Sequence, residues 1–230
     1  MGTIPIYWGA TDIEDLVSPD CFIDMRRFPG YPEFSTEPLP LKDVLVAPVG
    51  SKPSGGADDF HRFIGDELIP LIDSRFPTVP GDRTYYGHSL GGGFGLYTLF
   101  VRAELFSRYI ISSPTVAYHG QSSAGIVYDH YEFGLQRARD FIAAGRSLDN
   151  THLYVSVGGR EEFEAEYSPW QFVTNVNRLT ALLKSAAIPR LRLTTELFID
   201  ESHMTVWPFA FIHGIQAVFG TRDRNQVAAQ

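Results

Sequence analysis

The chain reads as short strand-like runs of three to eight residues alternating with longer stretches in which apolar side chains recur every three or four positions. Short runs of the first kind fit buried strands, and stretches of the second kind fit helices with one apolar face. The runs predict strands at Ile4 to Trp8, Val44 to Val49, Thr84 to Tyr86, Tyr109 to Ser112, Leu153 to Val157 and Leu191 to Phe198. Helical spacing starts at Asp58, with Phe60, Phe63, Ile64, Leu68, Leu71 and Ile72 on one side. It returns at Leu90 to Phe100, near Glu132 to Ala144, from Pro169 to Ala187, and from Trp207 to Phe219. Asp58 or Asp59 is the candidate N-cap of the first helix, and Pro70 is expected to bend or restart it, because proline removes a backbone donor and crowds the preceding turn. Residues 9–42 carry Pro19, Pro29, Gly30, Pro32, Pro38 and Pro40 and are expected to be mostly loop, as is the segment Thr115 to Asp129.

Strands separated by helices of this length predict an α/β fold, a mostly parallel sheet with helices on both faces. In such a sheet the ligand site lies at the carboxyl ends of the strands. The 230 residues are expected to form a single domain over 1–220, with 221–230 as a polar tail.

Composition narrows the function classes. The net charge is −8, from 27 acidic and 19 basic side chains spread along the chain, so no basic stripe exists to neutralise phosphates and nucleic acid is not an expected partner. No run approaches the length of a membrane span, and the first residues lack the basic start and long apolar core of a secretion signal. Cys21 is the single cysteine, which excludes an intrachain disulfide and a cysteine-based structural zinc site; a reducing, cytoplasmic setting is the expectation. Oligomeric state has no signature in the sequence.

The chemistry concentrates in TYYGHSLGGGFGLY, Thr84 to Tyr97. A strand ends at Tyr86, a helix starts at Leu90, and between them Gly87-x-Ser89-x-Gly91 has the form of a turn that raises a serine hydroxyl above a sheet. Gly87 and Gly91 are expected where a β-carbon would collide with neighbouring backbone, and Gly92, Gly93 and Gly95 where the helix approaches the sheet. A serine hydroxyl is a weak nucleophile at neutral pH and needs an imidazole to take its proton and a carboxylate to orient that imidazole. After the strand Leu153 to Val157 comes GGREEFEAE, which makes Glu161 the favoured acid with Glu162 next; Glu164, Glu166 and Asp200 are close by. After the strand Leu191 to Phe198 comes IDESHMTVWP, which puts His203 in the loop before the last helix. Of the other histidines, His88 is adjacent to the serine but is expected to point elsewhere and to pack or hydrogen-bond. His61, His152 and His213 belong to regular elements, and His119 and His130 to a loop region.

These segments resemble an esterase family of α/β-hydrolases, the group that holds esterase D, feruloyl esterases, enterochelin-type siderophore esterases and mycolyltransferases. The resemblance rests on GGADDFHRFIGDELIPLID, GHSLGGGFGLYTLF, ELFSRYIISSPT, VSVGGREE and ESHMTVWP, from Gly55 to about Pro208. It implies an α/β-hydrolase fold, cleavage of small-molecule carboxylic esters, nucleophile Ser89, acid Glu161, base His203 and an oxyanion donor at the amide of Leu90, with no metal or organic cofactor. Acyl transfer, with an alcohol in place of water, would use the same residues, and a binding protein with an impaired site is the reading from outside catalysis. Members of the group usually bring a hairpin and a strand–helix unit ahead of the segment resembling TIPIYWGATD. The sheet is therefore expected to lack the usual N-terminal strands, and the second oxyanion amide to come from another turn, Tyr7 to Gly9 or Val49 to Gly50. DMRRFPGYP resembles an arginine-bearing loop beside the pocket of siderophore-type members, which implies substrate contact for Arg26 or Arg27. Trp170 is a further candidate for substrate binding, with Tyr118, Tyr128, Tyr131 and Tyr167 as other aromatic candidates for the pocket wall.

Overall fold

The computed structural model describes residues 57–121, 127–148 and 150–220. These residues fall into two compact units, 57–78 and 79–220.

The first unit is helical. Helix α1 (Ala57–Arg62) runs into a π-helical stretch (Phe63–Leu68) and then α2 (Ile69–Arg75), which carries Pro70 in its first turn. The wider turn is visible at Ile69, whose amide reaches the carbonyl of Ile64 five residues back. The wider winding precedes Pro70, and the α-helix restarts at Ile69 with the proline in its first turn, where a missing amide donor costs least. Helix α1 starts at Ala57, so Asp58 and Asp59 are inside its first turn rather than at its N-cap; there they face the positive end of the helix, and Asp59 pairs with Arg62.

The second unit is built on four parallel strands, β1 (Thr84–His88), β2 (Arg108–Ser112), β5 (His152–Gly158) and β6 (Arg192–Phe198), in the order β1-β2-β5-β6. A separate antiparallel pair, β3 (Tyr118–Gln121) and β4 (Val127–Tyr131), is inserted after β2. The helices are α3 (Leu90–Val101), α4 (Phe133–Ala143), α5 (Phe172–Ala186) and α6 (Val206–Phe219). Alternation along the strands sorts the core into two layers. Tyr109, Ile111, Leu153, Val155 and Val157 face α3, α4 and α5, meeting Leu96, Leu99, Leu135, Phe141, Val176, Leu179 and Leu183. On the other face Ile110 and Tyr154 meet Val218 of α6. Every residue of β5 is buried, which explains its continuous apolar reading LYVSV. Burial of each such Leu, Ile or Val contributes on the order of 1.5–3 kcal/mol.

Three expectations need correction. The segment read as loop between Thr115 and Asp129 contains β3 and β4, so His119 and His130 are on strands; these strands pair with each other rather than with the main sheet, and too few residues alternate for the sequence to announce them. The helix expected from Pro169 begins at Phe172, because Ser168–Trp170 forms a 3₁₀ turn and Gln171 takes a left-handed conformation (φ 44°) that separates the two. Gly91 is not sterically demanded: a β-carbon there would have its nearest neighbour, the Tyr85 hydroxyl, at 3.9 Å. Among the described residues no helix is long and apolar enough to cross a membrane.

Candidate active site

The carboxyl ends of β1, β2, β5 and β6 carry the polar residues picked out by the sequence. At the end of β1, Ser89 has φ 56° and ψ −120°, a conformation costly for a residue with a β-carbon, on the order of 1–3 kcal/mol. Three main-chain bonds hold it there: its amide donates to Ser112 O (3.0 Å), and its carbonyl accepts from Gly93 N (2.9 Å) and Thr115 N (3.2 Å). Glycine is required at 87, where a β-carbon would be 2.3 Å from the Gly91 carbonyl oxygen. The Tyr85 hydroxyl, kept protonated because burial pushes its pKa up, donates to that same carbonyl and ties strand to helix. Leu90 is the first residue of α3, where amides have no carbonyl partner within the helix and the dipole favours negative charge.

Beyond β5 the chain makes a 3₁₀ turn, Gly159–Glu162, which sends two consecutive glutamates to different tasks. Glu161 is 0% exposed. Its Oε1 accepts from the Gly158 amide (2.7 Å) and from the Ser113 hydroxyl, and its Oε2 lies 2.7 Å from His203 Nδ1. Glu162 instead accepts from the amides of Val173 (2.9 Å) and Thr174 (3.1 Å) and from the Thr174 hydroxyl, satisfying the first turn of α5. Glu164 accepts from the His203 amide at 3.1 Å.

His203 is in the loop after β6 and is 3% exposed. Its Nε2 is 2.9 Å from Ser89 Oγ, so the ring bridges Ser89 and Glu161. Three rings surround it: Tyr167 at 4.2 Å, Phe172 at 4.6 Å and nearly parallel, and His88 at 4.6 Å between centroids. His88 therefore does not point elsewhere; it hydrogen-bonds Ser112 Oγ through Nδ1 (3.1 Å) and leans on the imidazole of His203. Its pKa is pushed down to about 3, first by burial and then by the neighbouring His203, so it is neutral near pH 7.

Trp170 stacks beside Phe172 (6.1 Å) and meets Tyr118 edge-on (4.6 Å), which places it one ring removed from His203. Arg26 and Arg27, the turns Tyr7 to Gly9 and Val49 to Gly50, and the side chains of Tyr128 and Tyr131 lie outside the described residues. Sequence reasoning did not find Ser113, whose hydroxyl holds Glu161 and whose φ of 44° is left-handed. The one local signal was its place in Ser112-Ser113-Pro114, directly after a strand end. Among the described residues no cluster of three or more His, Cys, Asp or Glu side chains could hold a metal ion.

An imidazole within hydrogen-bond reach of a hydroxyl on a strained strand-to-helix turn, with its far nitrogen on a buried carboxylate, is an arrangement that can move a proton off the hydroxyl. Residues 47–203 match the model of the family described as "Putative esterase". The chain belongs to this esterase family. A siderophore enterobactin esterase of Emericella nidulans is 32% identical over 142 residues, which are 57% of this chain and 43% of the relative. A siderophore triacetylfusarinine C esterase of Aspergillus fumigatus is 46% identical over 74 residues, 32% of this chain and 24% of the relative. The chain thus spans less than half the length of these two esterases. Among solved structures, siderophore hydrolase EstB of Aspergillus nidulans superposes with a TM-score of 0.60 at 25% identity, over 76% of this chain and 63% of that one. The parallel sheet with helices on both faces is the α/β-hydrolase fold shared with these esterases.

Proposed function

We propose that the chain is a serine esterase that cleaves carboxylic esters through an acyl-enzyme, with Ser89 as nucleophile, His203 as general base and acid, and Glu161 as the acid that orients His203. The observation that carries this reading is the unbroken series Ser89 Oγ, His203 Nε2, His203 Nδ1, Glu161 Oε2, with separations of 2.9 and 2.7 Å. His203 takes the hydroxyl proton as Oγ bonds to the ester carbonyl carbon, and the carbonyl electron pair moves onto oxygen. The Leu90 amide, at the positive end of α3, donates to that oxyanion; one such donor supplies about 100- to 1,000-fold in turnover. As the intermediate collapses, the C–O bond to the leaving alcohol breaks and His203 returns its proton to the departing oxygen. Water, deprotonated by the same ring, then releases the acid and restores Ser89. Glu161 stabilises the imidazolium in both halves and fixes its tautomer, while its own charge is held by Gly158 N and Ser113 Oγ.

The proposed substrates are siderophore esters, because the two curated relatives carry that activity in their names and because Trp170, Tyr118 and Phe172 form an aromatic cluster beside His203. The test is hydrolysis of nitrophenyl esters of graded acyl length and of a lactone siderophore, by wild type and Ser89→Ala. The reading expects measurable turnover by wild type, lost in the variant. Equal rates for the two proteins would refute it.

A further inference from the structure

We propose that His88 is a positioning residue for the reaction, holding the ring and the loop of His203 in register with Ser89. This rests on the assignment of His203 as the base. His88 is the last residue of β1 and directly precedes the nucleophile, so its backbone is fixed by the same parallel register that fixes the turn, His88 against Ser112. Its ring touches both partners that the nucleophile needs. Nδ1 bonds Ser112 Oγ at 3.1 Å, on the residue whose carbonyl accepts the Ser89 amide. The ring also lies 4.6 Å from the imidazole of His203, tilted by 39°.

The need for such a brace follows from the connectivity. Residue 203 is in the loop between β6 and α6, and β6 is separated from β1 in the sheet by two strands, β2 and β5. The main-chain pairing of β1 therefore does not hold it. Tyr167 and Phe172 approach the imidazole from the segment after β5, and the Glu164 carboxylate holds the His203 amide from that same segment. From the nucleophile's own strand, Tyr86 donates to the Trp207 carbonyl at the start of α6 (3.0 Å), and His88 is the residue that meets the His203 ring itself. A ring at this place must also carry no charge when His203 is an imidazolium, because two like charges at this spacing would oppose the proton transfer. Burial beside His203 keeps His88 neutral, whereas lysine or arginine there would remain charged.

The test uses the full chain with His88→Phe, which keeps a ring but removes its hydrogen bonds, His88→Gln, which restores a donor and an acceptor, and Ser112→Ala, which removes the Nδ1 partner and leaves the ring. Each is assayed for kcat and KM on a nitrophenyl ester, and for the downfield proton resonance of His203 Nδ1 in protein labelled with ¹⁵N-histidine. In the Phe variant kcat is expected to fall about 10- to 100-fold, the scale of a displaced catalytic group, with KM within about threefold. The downfield resonance is expected to broaden or vanish, with partial recovery of both signals in the Gln variant and a smaller loss of kcat in Ser112→Ala. A Phe variant within about twofold of wild type in kcat, with the resonance unchanged, overturns the proposal. If that variant does not fold, an unchanged kcat and resonance in Ser112→Ala overturns it. Failure of the parent assignment is read separately: wild type and Ser89→Ala would then have equal rates, while the resonance still reports whether His88 orders His203.

Discussion

Two neighbouring glutamates that differ by one position in sequence are expected to differ by three orders of magnitude in effect. Glu161→Gln replaces the carboxylate facing His203 Nδ1 at 2.7 Å by an uncharged amide of nearly the same size. The Gly158 amide and the Ser113 hydroxyl both donate to Oε1, so the glutamine oxygen must turn toward them and present its NH₂ to the imidazole. Two donors then face each other, and the ring relieves the clash by moving its proton to Nε2, the nitrogen that must accept from Ser89. A unit charge pair at this separation is worth about 6 kcal/mol at an effective dielectric of about 20. Losing most of it, together with the tautomer, lowers kcat by about 1,000- to 10,000-fold, equivalent to about 4–5.5 kcal/mol. Glu162→Gln keeps an acceptor for the first turn of α5 and loses only a charge–dipole term of about 0.3–1 kcal/mol, which lowers Tm by a few degrees at most and leaves kcat within about threefold. Steady-state hydrolysis of a nitrophenyl ester and thermal unfolding measure both variants. Equal activity of the two, or a Glu161→Gln enzyme within tenfold of wild type, would refute the reasoning.

Further expectations follow from the same geometry. Ser113→Ala removes one donor from the buried carboxylate and is expected to lower kcat by roughly tenfold with KM unchanged, about the value of one hydrogen bond to a charged group; steady-state kinetics checks it. Gly95→Ala would drive a β-carbon to within 2.4 Å of the Tyr85 ring and is expected to destabilise by about 1–3 kcal/mol, whereas Gly91→Ala has room and should be neutral or stabilising by up to about 1 kcal/mol; denaturant titration separates them. Glu132 bonds Arg178 of α5 and Arg139 of α4, and chiefly the Arg178 hydrogen bond holds its carboxyl below the usual range. A depressed carboxylate adds stability above the unfolded pKa of about 4.3 and loses it as pH falls through the folded value. The Tm gap between wild type and Glu132→Gln should therefore be present at pH 7, small because the pair is solvent-screened, and close as the solution is acidified below about pH 4.

The sheet and most helices were legible because their patterns are strong. Val155 and its neighbours form a run that only a fully covered strand tolerates, and Val176, Leu179 and Leu183 recur at helical spacing. The β3–β4 pair escaped because its strands are short and join each other rather than the main sheet. The serine was readable from its flanking glycines, although Gly87 carries the steric demand and Gly91 does not. Glu161 was favoured over Glu162 as the first carboxylate after the glycine turn, but the physical reason was not readable: the 3₁₀ turn sends one carboxylate inward to His203 and the other to the start of α5. Ser113 after β2 and Tyr167 and Phe172 after β5 surround the buried pair from two separate segments, and no local pattern marks a residue whose partner is tens of positions away.

The central claim is that the hydroxyl of Ser89 is made nucleophilic by His203. The most direct measurement is covalent labelling by a fluorophosphonate, followed by mass spectrometry of the peptide that contains residue 89. The account predicts one adduct per chain on Ser89 in wild type, none in Ser89→Ala, and a labelling rate at least about 100-fold lower in His203→Ala. An adduct on another residue, or labelling of Ser89 at the same rate with and without the imidazole, would contradict it.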